Sequence, residues 1–176
     1  LYEDINKSII FSLQQKPNRD NMTNNFIIRP AQAADRDFIF TLSPGLAEVA
    51  ELPWHTDAVV QKMQDDYIVE VIDKPVGPQV TLIAEKNNIA LGFIHACSHK
   101  DSISGETCGT VPLLAILPKS QGIGVGQALM QAAEYWAKEQ GYRLLHLEVF
   151  AHNNKAQGFY QNLGFEAETL HMIKEI

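Results

Sequence analysis

Apolar positions along the chain follow two periods, and the changes between them mark out the elements. Phe26-Ile27-Ile28-Arg29-Pro30 is a short apolar run closed by proline and predicts a first strand. Ala33 to Leu42 predicts a helix, with Asp35 and Asp37 near its start, where carboxylates suit the positive end of the dipole. Ser43-Pro44-Gly45 reads as a breaker and Leu52-Pro53-Trp54-His55 as a loop. Thr56 or Asp57 is placed to cap a second helix running to about Val71. After the turn cluster Asp73 to Pro78, Gln79–Glu85 and Ile89–His99 read as two strands joined at Lys86-Asn87-Asn88. A turn from Asp101 to Gly105 leads to a long strand, Thr107 to Leu117.

Pro118 cannot donate to a sheet ladder and marks the end of that strand. Gly122, Gly124 and Gly126 follow, and then a strong helix-forming run to about Gln140, closed by Gly141. Tyr142 to Phe150 predicts a strand, with Leu145, Leu147 and Val149 on one side. Asn153 is placed to cap a short helix from Asn154 to Leu163, which Gly164 ends. Phe165 to Ile176 predicts a last strand, kinked near Glu168. The order β-α-α-β-β-β-α-β-α-β is a mixed α/β sheet in one domain, residues 23–176. Residues 1–22 read as an extension outside it. Ile5, Ile9, Phe11 and Leu13 allow an amphipathic helix there, and an extraneous segment explains them equally well.

Composition narrows the function classes. With 176 residues, 45% hydrophobic and 20% charged, the chain can bury one sizeable core. No apolar run is long enough to span a membrane, and Leu1-Tyr2-Glu3-Asp4 is not the basic start of a signal peptide. Cys97 and Cys108 make no disulfide framework, so a cytoplasmic location is the expectation. The net charge of −7 argues against nucleic acid as a partner and favours cationic substrates.

The candidate chemistry centres on Leu113 to Gly126. A glycine-rich turn lets the backbone approach a ligand, and the first N–H groups of the helix behind it have no partner within the helix. That arrangement is an anion cradle suited to phosphate or pyrophosphate, although a plain turn would also use these residues.

The residues from Ile116 to Gly126, ILPKSQGIGVG, resemble the signature V-x-P-x-x-[RQ]-[GR]-x-G-[IV]-G of the GCN5-related N-acetyltransferase (GNAT) superfamily. Downstream, Asn153 to Phe165 is similar to its second signature, N-x-x-A-x-x-[LF]-Y-x-x-[LM]-G-F, with Asn162 where a basic residue is common. The similarity covers about Phe26 to Ile176, and the C-terminal half carries nearly all the specificity.

This resemblance implies a mostly antiparallel sheet whose middle strands splay apart, with acetyl-coenzyme A as donor and no metal. The loop Gln121, Gly122, Ile123, Gly124, Val125, Gly126 and Gln127 would hold the pyrophosphate. Leu114, Ala115 and Ile116 would pair with the pantetheine arm, and Asn153, Ala156 and Tyr160 would line it. A bulge near Leu114 to Ile116 would aim a backbone N–H, that of Ile116, at the thioester oxygen. Tyr160 takes the family's general-acid position, its other reading being a packing aromatic beside Phe159. Glu148 is the candidate base, its other reading a solvated strand glutamate; Glu106 and His95 are weaker candidates. Trp54, His55 and Tyr67 read as acceptor-pocket wall. The acceptor would be a small-molecule or peptide amine, and a homodimer is an expectation of the family.

Three rival readings compete with this one. His95, Cys97 and His99 share one face of a strand and Cys108 lies on the next, but the spacing is too loose to assign a metal. A dinucleotide-binding oxidoreductase has a strand, a glycine turn and Glu148 at a suitable remove. It lacks the third glycine of its fingerprint, however, and too little chain follows. A non-catalytic acetyl-coenzyme A sensor on the same fold differs from an enzyme only in activity.

Overall fold

The computed structural model describes residues 26–74 and 76–176. The N-terminal helix considered above lies outside them. Strand β1 (Ile27–Pro30) pairs antiparallel with β2 (Gln79–Lys86), β2 with β3 (Ile89–Lys100), and β3 with β4 (Thr107–Ile116). The edge strand β5 (Leu145–Leu147) joins β4 in parallel, so the sheet order is β1-β2-β3-β4-β5. The β2–β3 hairpin turns on Asn87 and Asn88 at φ 52° and 61°, left-handed values that asparagine tolerates. Asp101 closes the β3–β4 turn by accepting the N–H groups of Ile103 and Ser104. The parallel step to β5 needs a crossover, which α4 (Val125–Glu139) supplies.

Both faces of the sheet are covered, because strand alternation points apolar residues both ways. On one face α4 lays Val125, Leu129, Ala133 and Trp136 against Leu82, Ala84, Ile94 and Val111. Its alanines at 132, 133 and 137 let the helix axis approach the strands. On the other face lie α1 (Arg36–Thr41), α2 (Ser43–Glu48) and α3 (Asp57–Asp73); Ile39, Leu42 and Ile68 there meet Ile83, Phe93 and Leu113. Thr56 caps α3 through its side chain, as its position suggested. No helix among the described residues is long and apolar enough to cross a membrane.

Three elements differ from the sequence reading. Ser43-Pro44-Gly45 begins α2 rather than breaking the chain. Proline is tolerated in a first turn, where its missing N–H would have no partner, and Ser43 is held by its hydroxyl bond to Asp65 on α3. The strand expected over Tyr142–Phe150 is only Leu145–Leu147. Tyr142 is spent ending α4, its N–H on Ala137 O and its ring edge-on to Trp136 at 5.8 Å. Phe165–Ile176 forms no strand. Leu170 and Met172 are 73% and 82% exposed there, and an alternating pattern without a partner strand or a face to bury does not make a ladder.

Arg29 fastens β1 to its surroundings. Its guanidinium gives two bonds to Asp35, at 2.6 and 2.8 Å, and one to Glu85 on β2 at 2.7 Å. The bond from Arg29, helped by the N–H of Gln32, holds the Asp35 carboxyl below the usual carboxylate range. Asp35→Ala should lower stability by about 3 kcal/mol in chemical denaturation at neutral pH, since it leaves a largely buried cation short of a partner. Because the native Asp35 value is depressed, its contribution is complete above about pH 4. It is lost as pH falls through the native value, so the wild-type advantage should shrink there.

Candidate functional site

The site begins with a proline. Gly92 to His95 on β3 pair with Ile116 to Leu113 on β4 in one register, and Cys97 to Lys100 pair with Thr110 to Thr107 in another. One extra residue on β4 accounts for the change, so Val111 and Pro112 form a bulge opposite Ala96. The bulge therefore lies earlier than the expected place near Leu114–Ile116.

The extra residue reverses which way the β4 backbone faces. Before it, Gly109 donates to Leu144 O at 3.0 Å, towards β5. After it, Leu117 donates to Leu91 O at 2.8 Å, towards β3. Strand alternation then turns the N–H and C=O of Ala115 towards β3, and those of Leu114 and Ile116 away from it. Pro112 stands at the switch with no N–H to give. Pairing with β5 stops at Val111 opposite Leu147, while β4 runs on to Ile116. The result is a fork, with the backbone of Leu114 and Ile116 facing its gap. Of the three residues expected to pair with an extended ligand, Ala115 is directed elsewhere.

At the end of β4 the chain makes a 3-10 turn, Pro118–Ser120, and enters the glycine loop. Gly122 and Gly124 have φ of 79° and 86°, where a side chain would be strained. Gly124 is the N-cap of α4 and has no side chain to cap with, and the first helical bond is Ala128 N to Gly124 O. The N–H groups of Val125, Gly126 and Gln127 thus have no partner within the helix. Gln121 and Gly122 are exposed, and Ile123 is 46% exposed. A Cβ on Gly126 would lie 3.3 Å from the ring of Phe159 and 3.9 Å from Ile116, so the loop, the end of β4 and α5 (Asn154–Asn162) meet there.

Asn153 caps α5, its Oδ1 accepting the Ala156 N–H at 3.1 Å. That bond occupies the Ala156 donor and leaves the Asn153 Nδ2. Tyr160 packs between Phe159 and Phe165, at 5.2 and 5.9 Å between ring centroids. Burial raises its phenol above the ordinary value. It therefore keeps its proton at neutral pH and can act as an acid but not as a base.

The other side of the fork faces α3. Leu145 and Leu147 pack on the α4 face, so His146 and Glu148 point the opposite way. Glu148 is the first residue past the last β4–β5 rung and is exposed. Burial raises the Tyr67 phenol on α3, and negative charge around it, that of Glu148 and Glu70 included, raises it further. Cys97, Thr110 and His146 form a row across β3, β4 and β5 on this face.

The two weaker base candidates do not reach the fork. His95 is fully buried, with Nδ1 2.8 Å from Thr81 Oγ1, and burial pushes its imidazole down to about 4. Glu106 pairs with Arg143 at 2.9 Å, at the far end of β4. Trp54 and His55 precede α3, whereas Tyr67 lies ten residues along it, about 15 Å away. No group of three or more His, Cys, Asp or Glu among the described residues could hold a metal ion. Two neighbours escaped the sequence reading. His146 shares the Glu148 face at a spacing of two, which alternation could have indicated. Lys155 lies 2.6 Å from Gln121 Oε1, a long-range contact with no sequence signal.

Comparison with known proteins agrees with this geometry. The N-acetyltransferase YhfO of Bacillus subtilis, itself uncharacterized, is 32% identical over 90 residues, 51% of this chain and 60% of that protein. A mycothiol acetyltransferase of Renibacterium salmoninarum is 31% identical over 107 residues, 52% of this chain and 32% of its own length. The chain thus spans between about a quarter and three fifths of the length of these and the other curated relatives it matches. The crystal structure of a GCN5-related N-acetyltransferase from Ralstonia eutropha shares the fold, with a TM-score of 0.64 at 21% identity, covering 86% of this chain and 98% of that one. Residues 46–165 match the acetyltransferase (GNAT) family, with the glycine loop, the fork and Tyr160 all inside the matched stretch, and the chain belongs to that family.

Proposed function

We propose that this protein is an acetyl-coenzyme A-dependent N-acetyltransferase that moves the acetyl group directly to a primary amine of a small-molecule or peptide acceptor. The observation that carries this reading is the continuous path from the uncapped N-terminus of α4, along the turned-out backbone of Leu114 and Ile116, to Glu148 at the fork. Its ends suit a pyrophosphate and an amine, and its middle suits an extended arm.

When bound, acetyl-coenzyme A supplies an activated acetyl group as a thioester. The N–H groups of Gly122 to Gln127 would hold the pyrophosphate, reinforced by the dipole of α4, while the Gln121 N–H is spent on Pro118 O. Leu114 and Ile116 offer main-chain groups to the arm, and Asn153 adds its Nδ2; Ala115 and Ala156 contribute shape. The Ile116 N–H is assigned to the negative charge that develops on the carbonyl oxygen, with the Leu114 N–H turned the same way. Glu148 accepts a proton from the incoming ammonium, so that a neutral amine attacks. Tyr160 gives a proton to the departing thiolate. The net charge of −7, with Glu70 and Glu148 near Tyr67, supports a cationic acceptor.

Isothermal titration with acetyl-coenzyme A should give micromolar binding, and NADH none. Gly124→Ala should weaken that binding roughly tenfold, because alanine resists the left-handed backbone that opens the cradle. Absence of acetyl-coenzyme A binding by the folded protein would overturn the reading.

With an acceptor found by an amine screen, Tyr160→Phe should lower kcat about a hundredfold or more in a thiol-release assay, with KM for acetyl-coenzyme A little changed. Glu148→Gln should lose most at neutral pH and recover as pH rises towards the amine's own value, near 10. A flat pH response of the Gln variant relative to wild type would remove Glu148 as the base.

A further inference from the structure

Helix α3 leaves apolar side chains in water on one flank. Val60, Gln64 and Ile68 face inward and are buried. Gln61 and Asp65, on one side of that buried stripe, bond to Ser43, so α2 covers that flank. The opposite flank carries Val59, Met63 and Tyr67 at a spacing of four, one above another on the helix. They are 55%, 44% and 37% exposed. The three make an apolar ridge about 12 Å long from end to end. A scattered surface apolar residue needs no explanation, but an aligned row of them marks a place where something binds.

The ridge leads to the fork. Ile68 packs in the cluster that holds Phe93 and Leu113, and Leu113 lies two residues past Val111, the last rung between β4 and β5. Tyr67 adjoins Ile68 on the flank away from α2, and it is the least exposed of the three. At that end the negative charge of Glu148 and Glu70 reaches the phenol. Further along the same flank the charges are already spent, because Lys62 and Asp66 pair with each other at 2.6 Å. One end of the ridge is therefore acidic and the rest is hydrocarbon. A ligand that matches it carries one cationic end and an apolar body. A second ammonium along the body would lie on apolar surface, beside a carboxylate that already has its partner.

We propose that the acceptor is a primary amine with an apolar tail, its nitrogen at Glu148 and its tail laid along Tyr67, Met63 and Val59. The proposal rests on the acetyl-transfer reading above and names the chemical class of its acceptor. Covering the ridge removes apolar surface from water, and a tail held there keeps the amine at the fork. The transfer itself is unchanged. A C–N bond forms, the C–S bond breaks, and an ammonium and a thioester become an amide, a thiol and one released proton.

The test is a thiol-release assay with ethylamine, butylamine, hexylamine and octylamine, and with spermidine as the polycationic comparison. For wild type, kcat/KM should rise about twofold per added methylene until the tail is as long as the ridge, less than full burial would give because the ridge stays partly open. Octylamine should be preferred to spermidine. Met63→Gln should flatten the rise and Met63→Leu should keep it. Both variants should bind acetyl-coenzyme A as wild type does in isothermal titration, which shows that they fold. A flat series, a preference for spermidine, or no turnover of any of these amines by protein that binds acetyl-coenzyme A would overturn the apolar acceptor and leave the proposed function intact. A dimer in sedimentation that Met63→Gln dissociates would give the ridge to a second copy and overturn the inference as well. Folded protein that bound no acetyl-coenzyme A would overturn both readings.

Discussion

The site depends on a single missing hydrogen-bond donor. A strand in the middle of a sheet normally satisfies both neighbours, and a gap between two central strands leaves backbone groups without partners. Pro112 makes such a gap tolerable, because it has no N–H to leave unsatisfied where β5 departs. The extra residue beside it rotates the rest of β4, so that Leu114 and Ile116 turn their main-chain groups to the opening. Under the proposed function, the groups given roles lie around that fork: the loop at its far end, Tyr160 on one face and Glu148 on the other.

An open fork in a sheet needs rigid support on both sides. Here α4 supplies one face, with Leu129, Met130, Ala132 and Ala133 fully buried against the strands. The other face is held by Ile39, Ile68 and Phe93, equally buried. The fork opens beyond these layers, towards β5, where only three residues pair. Stability and access are therefore separated in space. The core strands stay paired through β1 to β4, and the unpaired backbone of β4 lies beyond its last rung with β5, where a ligand can reach it.

The electrostatics separate the candidate groups by environment rather than by residue type. His95 and Tyr160 are both largely buried and free of nearby charges that would ionise them, so each stays neutral: His95 by shedding its proton, Tyr160 by keeping it. A neutral phenol can donate to a thiolate, whereas an imidazole sealed behind Thr81 can neither reach a substrate nor hold a charge. Glu148 is exposed beside the gap, where an amine can approach it.

The amino-acid sequence by itself determined the elements whose signals are local. Asn153 as a cap, Gly124 and Gly141 at helix ends, the Asn87-Asn88 turn and the buried face of α4 all follow from short-range sterics and alternation. The glycine loop and the tyrosine of α5 were legible for the same reason, as compact motifs. Only the tertiary structure decided what depends on partners distant in the chain. The bulge position is a register between β3 and β4, and no single strand encodes a register. The absence of a strand at Phe165–Ile176 is tertiary as well, since residues 166–176 pair with no strand and lie exposed. The exclusion of His95 and Glu106, and the meeting of Lys155 with Gln121, are long-range contacts set by how the sheet and helices pack. Local sterics are written in neighbouring residues, but burial, register and charge proximity arise only when the layers close.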